Sequence, residues 1–330
     1  MNLLDQQAAN RRRTWLVMAL FAGFLFLLGY GFDRFYLGVE GMPVPLAATA
    51  GLVFGGVSAL SGYYKGDRAV LASTGAVPIA QALAAETDDT RRFRLTQAGN
   101  VVSEMAIAAG LPEPKVYIIP DPDPNAFATG RDPEHASIAV TNGLVDMLTR
   151  EELQGVAAHE LSHVRNLDIR LMTVIAALVG AIVLLSDWAR RSMRFGSAGG
   201  SRRSRNKDGG GGLGVVLLAI WIVAVILAPL IGQGLAMMVS RRRESLADAS
   251  GAELTRNPLA LASALEKIDA VATPTAAVKR GTAHLCIADP LGRPAGLREG
   301  FWADLFASHP PMASRIAALR EMGYQPASPR

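Results

Sequence analysis

Three residues in one short stretch could do metal chemistry. Residues 151–170 read EELQGVAAHELSHVRNLDIR, in which His159, Glu160 and His163 form H-E-x-x-H. On a helix, histidines at i and i+4 share one face, about 5–6 Å apart at Cβ. That spacing suits two imidazole ligands on one zinc ion, and Glu160 then sits where it can take a proton from water at the metal. With five histidines in 330 residues, chance would produce the motif roughly 0.003 times. Helix-forming neighbours surround it, and Thr149 is placed to cap the helix three residues before Glu152.

A catalytic zinc needs a third protein ligand and an open position. Asp168 is near, but it lies five residues past His163 along the same chain direction. A better source is SRRRESLADASGAEL at 240–254, where Glu244 and Asp248 stand at i and i+4 on a helical pattern. One of these carboxylates can ligate the metal, and the other can accept an N–H from a ligating histidine.

The elements that must position these residues include long apolar runs. Half of the chain is hydrophobic, 19% is charged and mean hydropathy is +0.23, a balance that excludes disorder and argues against an ordinary cytosolic protein. Thr14–Phe32, Gly41–Tyr64, Leu171–Ser186 and Gly209–Ser240 carry no charge. The first, second and fourth clear the roughly 20 residues a helix needs to cross the hydrocarbon; the third is short. Arg11, Arg12 and Arg13 precede the first run, and Lys65 and Arg68 follow the second, so both ends of that hairpin are expected on the cytoplasmic side. The first run is too long for a cleaved signal and no A-x-A-like site follows it, so it is expected to be a retained anchor. An Arg/Gly-rich loop at 189–212 separates the third and fourth runs, and if both cross, it breaks the positive-inside pattern.

The expected organisation is therefore an amino-terminal transmembrane hairpin at 1–64 and a first polar segment at 65–170 that carries H-E-x-x-H. A second hydrophobic hairpin follows at 171–240, then at 241–330 a second polar segment of the same domain that carries Glu244 and Asp248. The single cysteine, Cys286, excludes a disulfide framework and a cysteine-rich zinc ribbon. A net charge of +4, with its one concentration in the Arg/Gly loop, suggests no nucleic-acid partner. Residues 115–119 (KVYII) and 136–141 (ASIAVT) are β-rich, with Asn125, Ala126 and Phe127 between them. A short sheet with a free edge beside the H-E-x-x-H helix could bind an extended peptide by strand addition. His135 and His284 lack partner spacing and read as structural or exposed.

The chain resembles the HtpX-type membrane zinc metalloproteases, relatives of the CAAX-processing proteases. The likeness rests on PNAFATG at 124–130, VTNGLVDMLTREELQGVAAHELSH at 140–163, SRRRESLADASGAEL at 240–254 and SHPPMASRIAAL at 308–319, together with the hydrophobic pairs. It implies a mainly α fold with a small β-sheet, in which a zincin-like protease domain is attached to about four transmembrane or membrane-embedded helices. It implies one zinc per chain, held by His159, His163 and Glu244, with Asp248 behind a ligand. It makes Glu160 the general base, His309 a candidate donor to the oxyanion, and Asn125 a residue near the cleft. Arg315 is a weaker oxyanion candidate, expected instead to hold the fold through a buried ion pair. The implied activity is an endopeptidase in a bacterial-type inner membrane, multi-pass, with its site facing the cytoplasm. Its expected substrates are misfolded or damaged membrane proteins, in quality control and stress response. Two alternatives are a non-catalytic zinc-bearing scaffold and an intramembrane protease; the polar flanks of H-E-x-x-H argue against the second. The pattern specifies no oligomeric state.

Overall fold

The computed structural model describes residues 3–35, 45–196, 241–271, 275, 277–278, 282–288 and 310–324. The chain opens with two long antiparallel helices, α1 (Leu3–Phe35) and α2 (Leu46–Ser73). Both are long and apolar enough to cross a membrane. Leu16, Leu20, Leu27, Val53 and Val57 are more than half exposed on them, which is costly in water and natural against lipid. Small residues let the two backbones touch, the packing device of membrane helices. A Cβ on Gly51 would stand 2.3 Å from the Leu25 carbonyl oxygen. Gly51→Ala should therefore push α1 and α2 apart and cost about 1–3 kcal/mol. Thermal melts in detergent should show a lowered transition for Gly51→Ala but not for Gly56→Ala, whose Cβ would meet nothing within 4 Å. Equal melts would show that the seam yields freely.

A mixed α/β core follows: β1 (Val77–Pro78), α3 (Ile79–Ala85), α4 (Asp89–Ala109), β2 (Lys115–Ile119), β3 (Ala126–Thr129), β4 (Ser137–Thr141), α5 (Asn142–Met147) and α6 (Arg150–Arg165). The strands form one mixed sheet in the order β1-β2-β4-β3; β2 and β4 are parallel and the other pairs antiparallel. Alternation along the strands sends Ile118, Ile138 and Val140 into the core shared with α4 and α6. Ile119, Phe127 and Ala139 go to the opposite face, into the cluster that includes α1, α2 and α7 (Asp168–Gly196). A sheet covered on both faces explains why its strands read as near-continuous apolar runs.

Helix α6 starts at the capping box anticipated for Thr149: its hydroxyl accepts from Glu152 N at 3.3 Å, and Thr149 N donates to Glu152 Oε2 at 2.8 Å. It ends at Asn166. Leu167 then takes φ 58°, in the left-handed region, and the chain turns 85° into α7. Together α6 and α7 could count as one broken span, but the charged ends of α6, Arg150, Glu151 and Arg165, set it apart from the apolar stretch of α7. The third apolar run thus lies in a helix, as expected; the fourth lies outside the described residues. The last described elements are α8 (Arg241–Thr255), α9 (Pro258–Ala270) and α10 (Met312–Tyr324). Leu261, Leu265 and Leu319 from them join the core of Leu95, Val156 and Leu161. The two polar stretches on either side of 171–240 therefore share one core.

Candidate metal centre

Helix α6 presents His159 and His163 one turn apart, with ring centroids 5.0 Å from each other. Helix α8 crosses it closely: a Cβ on Gly251 would lie 3.1 Å from the His159 backbone nitrogen. That approach brings Glu244 over the imidazoles. Its Oε2 is 3.7 Å from His159 Nε2 and its Oε1 is 3.6 Å from His163 Nε2. One ligand-capable atom from each residue lies within 4.8 Å of the others, and all three residues are buried. Among the described residues this is the one such His/Cys/Asp/Glu group.

The far sides of the rings explain their orientation. His159 Nδ1 lies 2.9 Å from Asp248 Oδ1, and His163 Nδ1 lies 3.2 Å from Asp168 Oδ2. Each Nδ1 thus stands beside a carboxylate, and both Nε2 atoms face Glu244. His159 Nε2 has no hydrogen-bond partner among the described residues although it is buried. A buried, unsatisfied imidazole nitrogen beside a second imidazole and a carboxylate is the donor set of a tetrahedral cation with N and O ligands. The residues present fit a metal.

Asp248 is itself gripped from behind. Arg315 on α10 donates Nε to Asp248 Oδ2 at 2.8 Å and Nη2 to Oδ1 at 2.7 Å, and its Nη1 reaches the Ile287 carbonyl at 2.7 Å. This is the buried ion pair expected of Arg315. Burial by itself would raise the Asp248 carboxyl. The Arg315 hydrogen bonds and charge, with His159, outweigh it and hold that carboxyl well below the usual carboxylate range. Burial likewise opposes charging His163, but Asp168, Glu244 and Glu160 outweigh it and lift the imidazole to about 9. A metal arriving at neutral pH must therefore displace a proton from His163. Burial pushes the Glu160 carboxyl up, with the Glu244 charge adding to the effect and the two imidazoles opposing it. The Ala128 amide of β3 faces this carboxyl.

Asp168 is the residue the sequence reading passed over. Its five-residue distance from His163 argued against metal ligation, and its oxygens do go to His163 Nδ1 and elsewhere rather than into the cluster. The left-handed Leu167 swings Asp168 back under His163. The available signal was Asn166, a residue suited to ending a helix, just before an acid suited to starting one.

Ala126 and Phe127 open β3, an edge strand of the sheet, and Asn125 immediately precedes it. Asn125 is 2% exposed; its Nδ2 donates to Thr275 Oγ1 at 3.2 Å and to the Ala288 carbonyl at 3.3 Å. Phe127 bridges Cys286, and Ile287 N donates to the Ala126 carbonyl at 2.9 Å. The edge expected to be free is thus paired at these residues by the chain itself. His135 is half-exposed beside Asp132, and His284 is buried with Nε2 3.1 Å from the Met172 carbonyl. His309 lies outside the described residues.

A buried His–His–carboxylate cluster on an H-E-x-x-H helix, with an acid beside it and membrane-length helices packed on the same fold, defines a membrane-associated metallopeptidase. Comparison with known proteins agrees. The model of peptidase family M48 matches residues 94–323. The chain is 42% identical over 321 residues to the protease HtpX homolog of Caldanaerobacter subterraneus subsp. tengcongensis, covering 97% of this chain and 98% of that one. It is 38% identical over 320 residues to the protease HtpX homolog of Streptococcus gordonii, covering 97% and 100%. Among solved structures, S. mikatae Ste24p matches with a TM-score of 0.45 at 17% identity, over 96% of this chain and 67% of that one. The chain belongs to peptidase family M48.

Proposed function

We propose that this membrane metallopeptidase is a zinc-dependent endopeptidase of a bacterial inner membrane. In this reading it cuts misfolded or damaged membrane proteins on the cytoplasmic side. The observation that carries it is the buried N, N, O donor set whose two imidazoles are each aligned by a carboxylate. His159, His163 and Glu244 hold one zinc per chain, and Asp248 fixes the first imidazole. Bound there, zinc supplies Lewis-acid polarisation of the scissile carbonyl and activation of water.

Glu160, whose carboxyl burial pushes up, accepts the proton of the attacking water and returns it to the leaving amine. His309 donates to the developing oxyanion. Asn125, Ala126 and Phe127 serve the substrate side by fixing the β3 edge, whose Ala128 lies against Glu160. The cytoplasmic orientation is supported by the basic residues Arg11, Arg12 and Arg13 near the start of α1 and by Lys65 and Arg68 toward the end of α2. A site within reach of helices α1 and α7 suits substrates that are themselves held in the bilayer.

The test is cleavage of an unfolded model protein by the full chain, purified in detergent under chelator and then given zinc. Cleavage that appears only with zinc is expected. Zinc bound without cleavage of either soluble or membrane-derived unfolded substrates would overturn the endopeptidase reading.

A further inference from the structure

We propose that Asn10, on the membrane helix α1, is a positioning residue of the metal centre: its amide fixes Asp168, and Asp168 presents His163 to the metal. The inference rests on His163 being a zinc ligand, as proposed above, and extends the site to the membrane anchor.

Asn10 is 3% exposed, although Arg11, Arg12 and Arg13 beside it are exposed. A buried asparagine inside a helix is costly unless its amide is used. Here the amide nitrogen is used twice on the α6–α7 corner. Nδ2 donates to Asp168 Oδ1 at 2.7 Å and to the Asn166 carbonyl at 3.0 Å. The two oxygens of Asp168 thereby divide their work. Oδ2 meets His163 Nδ1 at 3.2 Å, while Oδ1 is held by Asn10, with Arg243 Nη1 at 3.5 Å. Rotation of the carboxylate away from His163 would break the Asn10 bond, so the imidazole is oriented through a chain that ends on α1.

A plainer role is also visible and must be separated. The last carbonyls of a helix lack intrahelical donors. One turn before Asn10, Gln7 Nε2 caps the Arg165 carbonyl at 2.8 Å. Asn10 caps the Asn166 carbonyl in the same way, so both residues close the end of α6. Of the two, Asn10 alone touches Asp168. Loss of capping should thus be common to variants at both positions, and loss of metal affinity should not.

The experiment measures zinc affinity by chelator competition on the full chain in detergent, for the wild type, Asn10→Ala, Asn10→Asp and Gln7→Ala. Asn10→Ala should bind zinc about tenfold more weakly, the low end of the ~10–100-fold that outer-shell partners contribute. Asn10→Asp keeps the shape but sets a carboxylate against Asp168, so it should bind more weakly still. Gln7→Ala should stay near the wild-type value even where its melting temperature falls. The visible spectrum of the cobalt-substituted protein should shift for Asn10→Ala and not for Gln7→Ala. Wild-type affinity in both Asn10 variants, or an equal loss in Gln7→Ala, would reduce Asn10 to a helix cap and overturn the proposal. His163→Ala serves as the separate control: undiminished zinc binding there would overturn the ligand assignment itself, whereas its loss beside an unaffected Asn10→Ala would overturn only the role of Asn10.

Discussion

Glu160→Gln should bind metal as tightly as the native chain and lose cleavage by about 10²–10⁴-fold, the usual contribution of a general base. The substitution removes a proton acceptor and almost nothing else. Gln has the shape of Glu, and the side chain it replaces is 1% exposed. A neutral amide is cheaper to bury there than a carboxylate whose charge is already disfavoured by burial and by Glu244. Stability should therefore be unchanged or slightly raised, which makes the loss of turnover readable as chemistry. The check is a parallel measurement of zinc stoichiometry, melting temperature and cleavage of an unfolded substrate. Cleavage retained within a fewfold would remove Glu160 from proton transfer; zinc lost along with cleavage would make it a ligand.

Arg315→Met should be the most damaging single change to stability away from the cluster, at about 3–5 kcal/mol, because it strands the Asp248 carboxylate without its bidentate partner. It should also weaken zinc binding, since Asp248 would no longer be held against His159. The double variant Arg315→Met with Asp248→Asn separates the two effects. Removing the stranded charge should recover much of the stability, while zinc affinity stays reduced. The pH dependence has a definite sign. Asp248 titrates in the folded chain well below its unfolded value of about 3.9, so its contribution is fully present above that value and fades as pH falls through the folded one. Asp248→Asn should flatten this part of the acid limb. An unchanged melting temperature in Arg315→Met, or an acid limb identical in Asp248→Asn, would show that the pair contributes little.

Much of the site was legible from local spacing. An i, i+4 pair on a helix is a one-turn relation, so H-E-x-x-H predicts that two imidazoles share a face without reference to the rest of the fold. Glu244 and Asp248 obey the same rule on a second helix. The Thr149 cap and the β character of KVYII and ASIAVT are likewise short-range signals, and the structure has α6 starting after Thr149 and strands at 115–119 and 137–141. Apolar length alone identified α1 and α2, the two helices among the described residues that are each long and apolar enough to cross a membrane.

Relations between those elements were not legible. The free edge anticipated at Asn125–Phe127 is paired by residues 286–287, which return from about 160 positions later, and nothing local announces such a contact. Asp168 looked too far from His163 along a straight helix; it reaches the ring because Leu167 adopts a left-handed conformation and breaks the axis by 85°. What the sequence by itself determined is which side chains could hold a metal and which segments could enter a bilayer, because both depend on neighbours within a turn or on composition. The tertiary structure alone decided that Glu244 faces both histidines, that Arg315 and Asn10 stand behind the two orienting carboxylates, and that the sheet lies between the protease core and the membrane helices. Those contacts join residues 67 to 158 positions apart, and they form only when close helix crossings such as that at Gly251 bring separate apolar faces together.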